Sequence, residues 1–371
     1  MAAYENPFTP SFGEIPAHLA GRKQIIENLN RAFSSARRKP ELTTIVSGAR
    51  GTGKTTLLTL LAHKAEERGW ISVSTTALPG MLDDIEIRVR KHAAHLLDHE
   101  SSHALAGLGI PQVIDVRFEK AEQPADNWRS RMEGLLDQLE AHGSGLLITV
   151  DEVDVELDEM VQLAAVYQHF VREERKVALL MAGLPHHVSA LLSDKTVSFL
   201  RRAQTEQLGR IADFEIEDAL LKTIRENGRD ANPDGLKRAT EAIGGFPFLM
   251  QLVGYRSWDA NPKNELISYD DFQYGIDLAR SELRERILEA TYRELSPQDV
   301  RFACAMLEDE RESRIADLVA RLDRSSAQVA QYRKRLIDAG IIGQRGRGVV
   351  AFELPYFRDF LSEKRANGEL D

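Results

Sequence analysis

Apolar residues in the first half of the chain form short stretches separated by longer amphipathic segments. Five of these stretches have the length of strands, and we predict strands at Leu42–Ser47, Trp70–Thr75, Leu146–Val150, Val177–Ala182 and Thr205–Leu208. The segments between them are long enough for helices, including Thr55–Arg68 and Gln123–His142. Because strands that alternate with helices build parallel sheets with right-handed crossovers, this half is predicted to be an α/β core on a parallel sheet.

The hydrophobic pattern changes at Asp213. From there to about Leu295, helical patterns follow one another and are interrupted by the turn-forming pairs Asn232-Pro233, Gly244-Gly245 and Asn261-Pro262. This part is predicted to be a separate all-α domain that forms a lid on the core.

After Ser296 the pattern changes again. Three short helical stretches come first, then the β-type segment Gly340–Glu353 with its turn glycines, and then a helix that starts at Pro355. Three helices and a glycine-turned hairpin are the outline of a winged helix. The predicted domains are therefore 1–211 for the core, 212–294 for the lid and 295–371 for the winged helix.

Length and composition agree with this division. A chain of 371 residues is expected to form two or three domains. Its longest apolar stretches are of strand length, so no segment is predicted to cross a membrane. The N-terminal residues MAAYENPFTP lack the basic and apolar regions of a secretion signal, and we expect a cytoplasmic protein. The single cysteine, Cys304, excludes an intramolecular disulfide and is predicted to be a buried structural thiol.

A glycine-rich segment follows the first predicted strand. It fits the phosphate-loop pattern G-x-x-x-x-G-K-[ST] and consists of Gly48, Ala49, Arg50, Gly51, Thr52, Gly53, Lys54 and Thr55, with Thr56 opening the next helix. The glycines permit backbone conformations that turn several N–H groups toward one anion, and the helix adds its positive end. Lys54 is predicted to reach the β- and γ-phosphates, and the Thr55 hydroxyl to bind Mg²⁺. The strand before and the helix after it disfavour the alternative, a chance glycine-rich turn.

Two carboxylates end the third predicted strand. Asp151 and Glu152 follow the apolar stretch Leu146–Val150, and parallel sheets bind ligands at this carboxyl edge. Asp151 is predicted to hold the Mg²⁺ shell and Glu152 to orient or deprotonate the attacking water, beside the charge of Lys54. Solvated acids at a strand end are the alternative for this pair taken alone. The Asn-Lys-x-Asp element of guanine-specific enzymes is missing from the sequence, so ATP is preferred over GTP.

These motifs resemble those of the prokaryotic AAA-like ATP-binding proteins of the ORC/Cdc6 and archaeal-ATPase group, which adjoins the STAND ATPases. The likeness covers almost the whole chain, and the phosphate loop is its specific element. Its other elements are Asn6-Pro7-Phe8, Ala20-Gly21-Arg22, Ala182-Gly183-Leu184-Pro185, Phe199-Leu200-Arg201-Arg202 and Gly244-Gly245-Phe246-Pro247-Phe248.

The resemblance implies positions for residues outside the two motifs. Gly21 and Arg22 are expected to lie against the adenine, and Pro247 to belong to an element that closes over the nucleotide. A helix start with proline in its first turn is the alternative for Pro247. Met181-Ala182-Gly183 lacks the polar sensor side chain of classical AAA ATPases, and no sensor arginine stands beside Pro247. Binding of ATP with slow, switch-like hydrolysis is therefore expected.

Two arginines before the fifth strand are candidates for an arginine finger. Arg201 or Arg202 would act in cis or toward a neighbouring subunit, and such a residue is worth about 10³–10⁵ in rate. Surface arginines at a helix end are the alternative. His186 and His187, after the fourth strand, lack metal-ligand spacing and are interpreted as loop residues.

The segment Arg324–Ile337 has the layout of a recognition helix. A serine provides the N-cap, and Val329, Tyr332 and Leu336 share the inner face. The predicted DNA contacts are Gln331, Arg333, Lys334 and Arg335 on the outer side and Arg345 and Arg347 in the wing. The net charge of −10 excludes coating of nucleic acid by bulk charge, so the contact depends on this local patch. The alternative is a winged helix that binds a protein and keeps these cations solvated.

Three functions follow, in decreasing order of preference. The first is ATP-controlled binding of double-stranded DNA, in which the nucleotide closes the lid and repositions the winged helix or builds an oligomer. The second is a signalling or defence-type switch whose winged helix binds a protein. The third, a small-molecule phosphotransferase, is disfavoured because the chain length goes to a lid and a winged helix. The expected ligands are ATP or ADP with Mg²⁺, and the expected partners are DNA, a second copy or another protein, but no membrane.

Overall fold

The computed structural model describes residues 4–11, 14–105 and 127–370. The strands of the first half are β1 (Thr43–Gly48), β2 (Ile71–Thr76), β3 (Leu146–Asp151), β4 (Val177–Gly183) and β5 (Gln204–Leu208). The helices around them are α1 (Lys23–Phe33), α2 (Lys54–Glu66), α3 (Met81–Leu105), α4 (Trp128–Ala141), α5 (Asp158–Arg172) and α6 (Pro185–Ser193). Within the described residues these five strands form one parallel sheet in the order β2-β3-β4-β1-β5.

The predicted α/β core is confirmed. Each predicted strand is present, with bounds that differ by at most one residue at either end. Helix α2 matches the prediction after the phosphate loop, and α4 covers most of the predicted helix Gln123–His142. Residues 123–126 of that prediction lie outside the described part of the chain.

The strand order brings the ends of β1 and β3 to one edge of the sheet. Ile45 in β1 and Val150 in β3 both pair with Met181 in the strand between them, β4. Neighbouring strands lie about 4.8 Å apart, so β1 and β3 are about 10 Å apart. β4 is buried along its whole length because helices cover both faces of the sheet. The segments that follow β1 and β3 are therefore held beside each other by a rigid support.

A helical region follows the core. Its elements are α7 (Asp213–Glu226), β6 (Asp230–Ala231), α8 (Pro233–Ile243), α9 (Pro247–Ala260), β7 (Leu266–Ile267), α10 (Tyr269–Leu283) and α11 (Glu289–Glu294). A π-helical turn, Arg284–Leu288, joins α10 to α11. β6 and β7 pair as a short parallel ladder. The all-α prediction missed this ladder because two-residue strands leave no alternating pattern in a sequence.

The C-terminal region combines helices with a small antiparallel sheet. Its elements are α12 (Pro297–Met306), β8 (Glu312–Arg314), α13 (Ile315–Leu322), α14 (Ser326–Asp338), β9 (Ile342–Gly346), β10 (Val349–Phe352) and α15 (Phe357–Ala366). Among the described residues its strands pair in the order β8-β10-β9. The hairpin follows the prediction for Gly340–Glu353, whereas the short strand β8 was not predicted. α14 starts after the N-cap Ser325, whose side chain forms a capping box with Gln328.

A continuous cluster of buried residues joins the helical and C-terminal regions. It includes Leu249 and Met250 in α9, Leu336 in α14 and Phe357 in α15. Separate clusters fill the two faces of the parallel sheet. The predicted boundary at 294/295 therefore falls between two regions that share a core, and the domain limits themselves stay predictions.

Cys304 lies on α12 and is partly buried. Burial raises the pKa of its thiol, which favours the protonated and unreactive form. Among the helices that the structure describes, none has the length and the apolar content needed to cross a membrane.

Candidate nucleotide-binding site

The phosphate loop has the backbone that an anion site requires. Gly51 and Gly53 have φ angles of 76° and 86°, a left-handed conformation that side chains disfavour. The Thr52 hydroxyl donates to the Ala49 carbonyl at 2.8 Å. At Gly48, an added Cβ would lie 2.6 Å from Thr52 Oγ1 and 2.9 Å from the Leu208 carbonyl oxygen. Glycine at these positions is therefore required by backbone shape or by space.

Lys54 opens helix α2 and is buried inside the loop. Lys54 is 6% exposed, and its Nζ donates to the carbonyl oxygens of Gly48 at 3.0 Å and Ala49 at 3.1 Å. Burial lowers the pKa of Lys54, while the charges of Glu152 and Asp151 oppose that change. The loop thus holds a cation at the N-terminal end of a helix, where an anion is also favoured by the helix dipole.

A hydroxyl and a carboxylate meet between the ends of β1 and β3. Thr55 Oγ1 donates to Asp151 Oδ2 at 2.5 Å. Asp151 Oδ1 accepts the backbone N–H of Glu152 at 2.9 Å, and Glu152 has a left-handed φ of 53°. Hydroxyl and carboxylate oxygens are the hard ligands that Mg²⁺ prefers, so this pair fits the predicted metal site.

A cavity of about 400 Å³ lies in front of the loop. It is lined by the loop from Arg50 to Thr56, by Glu152, by Arg22 and by residues of the lid. Pro247 of α9 borders it and lies 3.8 Å from where a Cβ of Gly53 would be. Pro247 is also the first residue of α9, as the alternative for this position expected, and closure of this element over a nucleotide stays a prediction.

Arg22 stands at the cavity, but its guanidinium has a structural role. It donates to the carbonyl oxygens of Thr52 at 3.4 Å and Gly209 at 3.0 Å, which ties the phosphate loop to the segment after β5. Burial lowers the pKa of Arg22. Gly21 does not line the cavity; an added Cβ there would lie 3.0 Å from the Ile211 side chain. Ala20 and Arg22, on either side of Gly21, do line the cavity, so the expectation that this segment lies against the adenine stays a prediction.

Residues 18–181 match the family model of the AAA ATPase domain. This part of the chain is an AAA ATPase domain. Residues 285–361 match a second model, a domain of unknown function (DUF8462). The comparison with curated protein sequences gives no significant match.

The whole fold is similar to that of archaeal proteins of known structure. The ORC2 protein of Aeropyrum pernix, solved in ADPNP-ADP complexes, has a TM-score of 0.62 at 16% identity over 99% of this chain and 98% of that chain. The Walker-type ATPase PABY2304 of Pyrococcus abyssi has a TM-score of 0.64 at 15% identity, over 93% and 96%. Cdc6p from Pyrobaculum aerophilum has a TM-score of 0.50 at 16% identity, with 100% of both chains covered. At these identities the likeness shows a shared ORC/Cdc6-like fold.

Gln251 and Thr9 line the cavity in front of the phosphate loop and were missed by sequence reasoning. Gln251 is 7% exposed, and its Oε1 accepts the backbone N–H of Thr9 at 3.0 Å. The N-terminal segment is anchored nearby by Phe8, whose ring fills the space where a Cβ of Gly254 would lie at 2.4 Å. A polar residue inside the apolar sequence Phe248-Leu249-Met250-Gln251-Leu252-Val253 was the available signal.

The arginine-finger candidates lie away from the cavity in this conformation. Arg201 Nε donates to the Leu192 carbonyl at 2.8 Å, at the C-terminal end of α6, and Arg202 is exposed. Neither residue lines the cavity, so the geometry gives no support for a finger in cis. The contact with a neighbouring subunit stays a prediction.

His186 and His187 lie in the first turn of α6, whereas the sequence interpretation placed them in a loop. A ring nitrogen of His187 lies 2.9 Å from the Val153 carbonyl, and burial lowers the pKa of His186. Among the described residues, no group of three or more His, Cys, Asp or Glu is arranged to hold a metal. Met181 and Ala182 are fully buried, so the end of β4 offers no sensor side chain.

The predicted DNA contacts are not equally available. Gln331 and Lys334 are exposed, Arg333 is half-buried and Arg347 is exposed. Arg335 also reaches the surface, but its guanidinium donates to both oxygens of Asp299 at 2.7 to 3.1 Å, against the expectation that it points freely outward. Arg345 is paired with Glu353 across the hairpin. Both pairs form because the docking of α14 and β9 brings carboxylates within reach.

Proposed function

We propose that this protein binds and slowly hydrolyses ATP, and that the nucleotide controls binding of double-stranded DNA by the C-terminal region acting as a winged helix. The observation that carries the ATPase part is the shared edge of Lys54, Thr55, Asp151 and Glu152 beside a cavity of about 400 Å³. The ADPNP-ADP complexes of the ORC2 protein support adenine nucleotides as ligands of this fold.

Each residue of the site would have a different role in binding and hydrolysis. The loop amides and the Lys54 ammonium would bind the β- and γ-phosphates and offset their charge, which is the main requirement of phosphoryl transfer. Glu152 follows β3 on the cavity wall, where its carboxylate would orient a water and take its proton. Thr55 and Asp151 would hold Mg²⁺, which draws charge from phosphate oxygens when it is bound.

Slow hydrolysis follows from the arginines around the cavity. Of the described residues that line it, the arginines are Arg22, which is held by carbonyl oxygens, and Arg50, which pairs with Glu294 at 2.9 Å. Arg22 would have to break its contacts with carbonyl oxygens to reach a γ-phosphate, whereas the exposed Arg50–Glu294 pair is weak and holds Arg50 only loosely. A neighbouring subunit that supplied an arginine would raise the rate.

Two substitutions test the ATPase assignment. Glu152→Gln removes the proton acceptor without removing volume, and we expect the hydrolysis rate to fall at least about 100-fold while the Kd for ATP stays near that of the wild type. Lys54→Ala removes the cation, and we expect ATP binding itself to be lost. Calorimetry gives the Kd, and phosphate release gives the rate. Normal hydrolysis by Glu152→Gln would show that another group activates the water.

The winged-helix proposal is supported by element order and by exposure. Helix α14 is the last of three helices and precedes the β9–β10 hairpin, which is the place of a recognition helix. Residues Arg324–Gln328 at its start are exposed, and the start of a recognition helix is where base edges are contacted. Gln331, Lys334 and Arg347 continue this surface toward the hairpin.

Electrophoretic mobility shift of duplex DNA, with and without ATP over a salt series, tests this part. The variant Arg333→Ala/Lys334→Ala/Arg347→Ala leaves the Arg335–Asp299 pair intact, and we expect it to lower the salt slope by about 2.7, since each phosphate contact contributes about 0.9. The matched control, Lys263→Ala/Arg293→Ala/Arg301→Ala, removes three exposed cations elsewhere. Equal shifts for both variants and the wild type would contradict DNA binding through α14 and favour a protein partner.

A further inference from the structure

The turn after α14 is packed directly on the phosphate loop. Gly340 follows the helix with a left-handed φ of 70°. A Cβ added to it would lie 2.6 Å from the Cβ of Ala49, 3.2 Å from its Cα and 3.6 Å from the backbone nitrogen of Arg50. Real Cβ atoms are essentially never found at the first of these distances. The C-terminal region therefore lies directly against Ala49 of the nucleotide-binding loop, and the nearest loop atom is the Ala49 Cβ.

Further contacts join the C-terminal half of the chain to the core. Together with the contact between Gly340 and Ala49 they are called the seam. Arg50 pairs with Glu294 at the end of α11, with 2.9 Å between nitrogen and oxygen. Arg210, after β5, donates to the carbonyl oxygen of Glu353 at 3.0 Å and lies over the Phe246 ring. The exposed Arg50–Glu294 pair is weak by itself, so the close packing at Gly340 is the main feature of the seam.

The seam leaves the cavity open. No described residue after Gln251 in the sequence lines the cavity. The described part of the C-terminal region therefore does not fill the space in front of the loop. Gly340 approaches Ala49 from outside, while Pro247 approaches Gly53 from the lid. Leu249, near Pro247, and Ile341, next to Gly340, belong to one buried cluster. One packed body therefore contacts the phosphate loop at both of its ends.

We propose that Gly340 is a positioning residue for the phosphate loop, through which the docked C-terminal region holds Ala49 and Arg50 in the nucleotide-binding conformation. The proposal rests on the ATP binding proposed above. Coupling between two sites is reciprocal: if docking favours ATP, then ATP favours docking by the same factor. Residues of the candidate DNA-binding helix are thereby linked to the nucleotide without touching it.

The substitution Gly340→Ala tests the contact. Its Cβ would displace Ala49, and we expect the Kd for ATP to rise about tenfold, equivalent to about 1.4 kcal/mol. Gly348→Ala is the matched control, because Gly348 has a similar φ of 73° in the same region but open space around it. It introduces the same backbone strain without the contact, so we expect wild-type affinity from it.

A second substitution on the loop side separates positioning from general damage. Ala49→Gly removes the Cβ that Gly340→Ala would meet, so the double variant is expected to recover most of the lost affinity. A double-mutant cycle on the Kd for ATP, with thermal unfolding measured for every variant, reports the coupling. Unchanged or tighter ATP binding by Gly340→Ala, or no recovery in the double variant, would overturn the proposal.

A charge reversal covers the case in which Gly340→Ala does not fold. Glu294→Lys lies on the exposed seam opposite Arg50, and Glu285→Lys is its exposed control in the neighbouring helical turn. Because Glu294→Lys replaces a weak attraction to Arg50 by repulsion between two cations, we expect weaker ATP binding from it than from Glu285→Lys, and equal affinity of both variants would count against the seam. If the wild type itself binds no ATP, the proposed function fails; if it binds and these variants bind equally well, only the positioning role fails.

Discussion

At the scale of single residues, the site depends on positions where space or hydrogen bonding fixes the residue type. Gly48 has no room for a side chain, and Lys54 is surrounded by loop carbonyls. Gln251 combines both conditions: it is nearly buried, and it accepts a hydrogen bond from the backbone of Thr9. It thus connects the lid to the N-terminal segment on the cavity wall.

Gln251→Leu tests this connection. Leucine has similar size but leaves the Thr9 N–H without its acceptor, and losing one buried hydrogen bond costs about 1–3 kcal/mol. We expect the N-terminal segment to loosen and the Kd for ATP to rise about five- to tenfold, measured by calorimetry. Gln273→Leu, at a half-buried position on α10 that does not line the cavity, is the control. An equal effect of the two substitutions would contradict a role for Gln251 at the cavity.

At the scale of elements, buried or bidentate ion pairs fix how the C-terminal helices pack. Asp299 closes the capping box of α12 with Ser296 and also accepts the Arg335 guanidinium from α14. Asp309 accepts two hydrogen bonds from Arg321 on α13, at 2.6 and 2.7 Å. In these pairs, basic residues that a sequence pattern would assign to an outer surface contribute to the packing of helices.

The Asp309–Arg321 pair gives a pH-dependent prediction. The hydrogen bond from Arg321 lowers the pKa of Asp309 from 3.8 to about 2. A carboxyl group with a lowered folded-state pKa stabilises the fold above its unfolded value, and this contribution is lost as the pH falls through the folded value.

The substitution Asp309→Asn removes that contribution. We expect the destabilisation to be full at pH 6, to shrink between pH 3.8 and about 2, and to amount to about 1 kcal/mol after solvent screening. Urea unfolding at pH 6 and pH 3 measures it. In an Arg321→Gln background the pH dependence should largely disappear, and its persistence there would identify a different partner.

At the scale of the whole molecule, the helical and C-terminal regions behave as one packed body. Tyr292 and Phe360 have ring centroids 5.8 Å apart, and Arg280 lies over the Tyr356 ring at 4.6 Å. The Tyr356 hydroxyl also donates to the Ala242 carbonyl at 2.5 Å. Helix α15 and the residue before it, Tyr356, therefore pack against residues that precede position 295.

Two fragments test this division. The predicted winged-helix domain, 295–371, would expose the apolar face that α15 buries, and we expect a broad thermal transition and binding of a hydrophobic dye. The fragment 212–371 keeps the shared cluster, and we expect one cooperative transition. Circular dichroism measures both. A sharp, stable transition of 295–371 alone would show that the two regions have independent cores.

The sequence by itself determined the parallel-sheet core, the phosphate loop and the Asp151-Glu152 strand end. Each of these features is formed by residues that are contiguous in the sequence, so its hydrophobic periodicity and turn residues can be recognised without knowing the rest of the fold. Tertiary structure decided the rest. Gln251 meets Thr9 across 242 positions, Arg335 meets Asp299 across 36, and Gly340 meets Ala49 from the far end of the chain. Such contacts depend on how the helices and strands pack against one another. Packing brings together residues that are distant in the sequence, and the sequence around either residue does not indicate its partner.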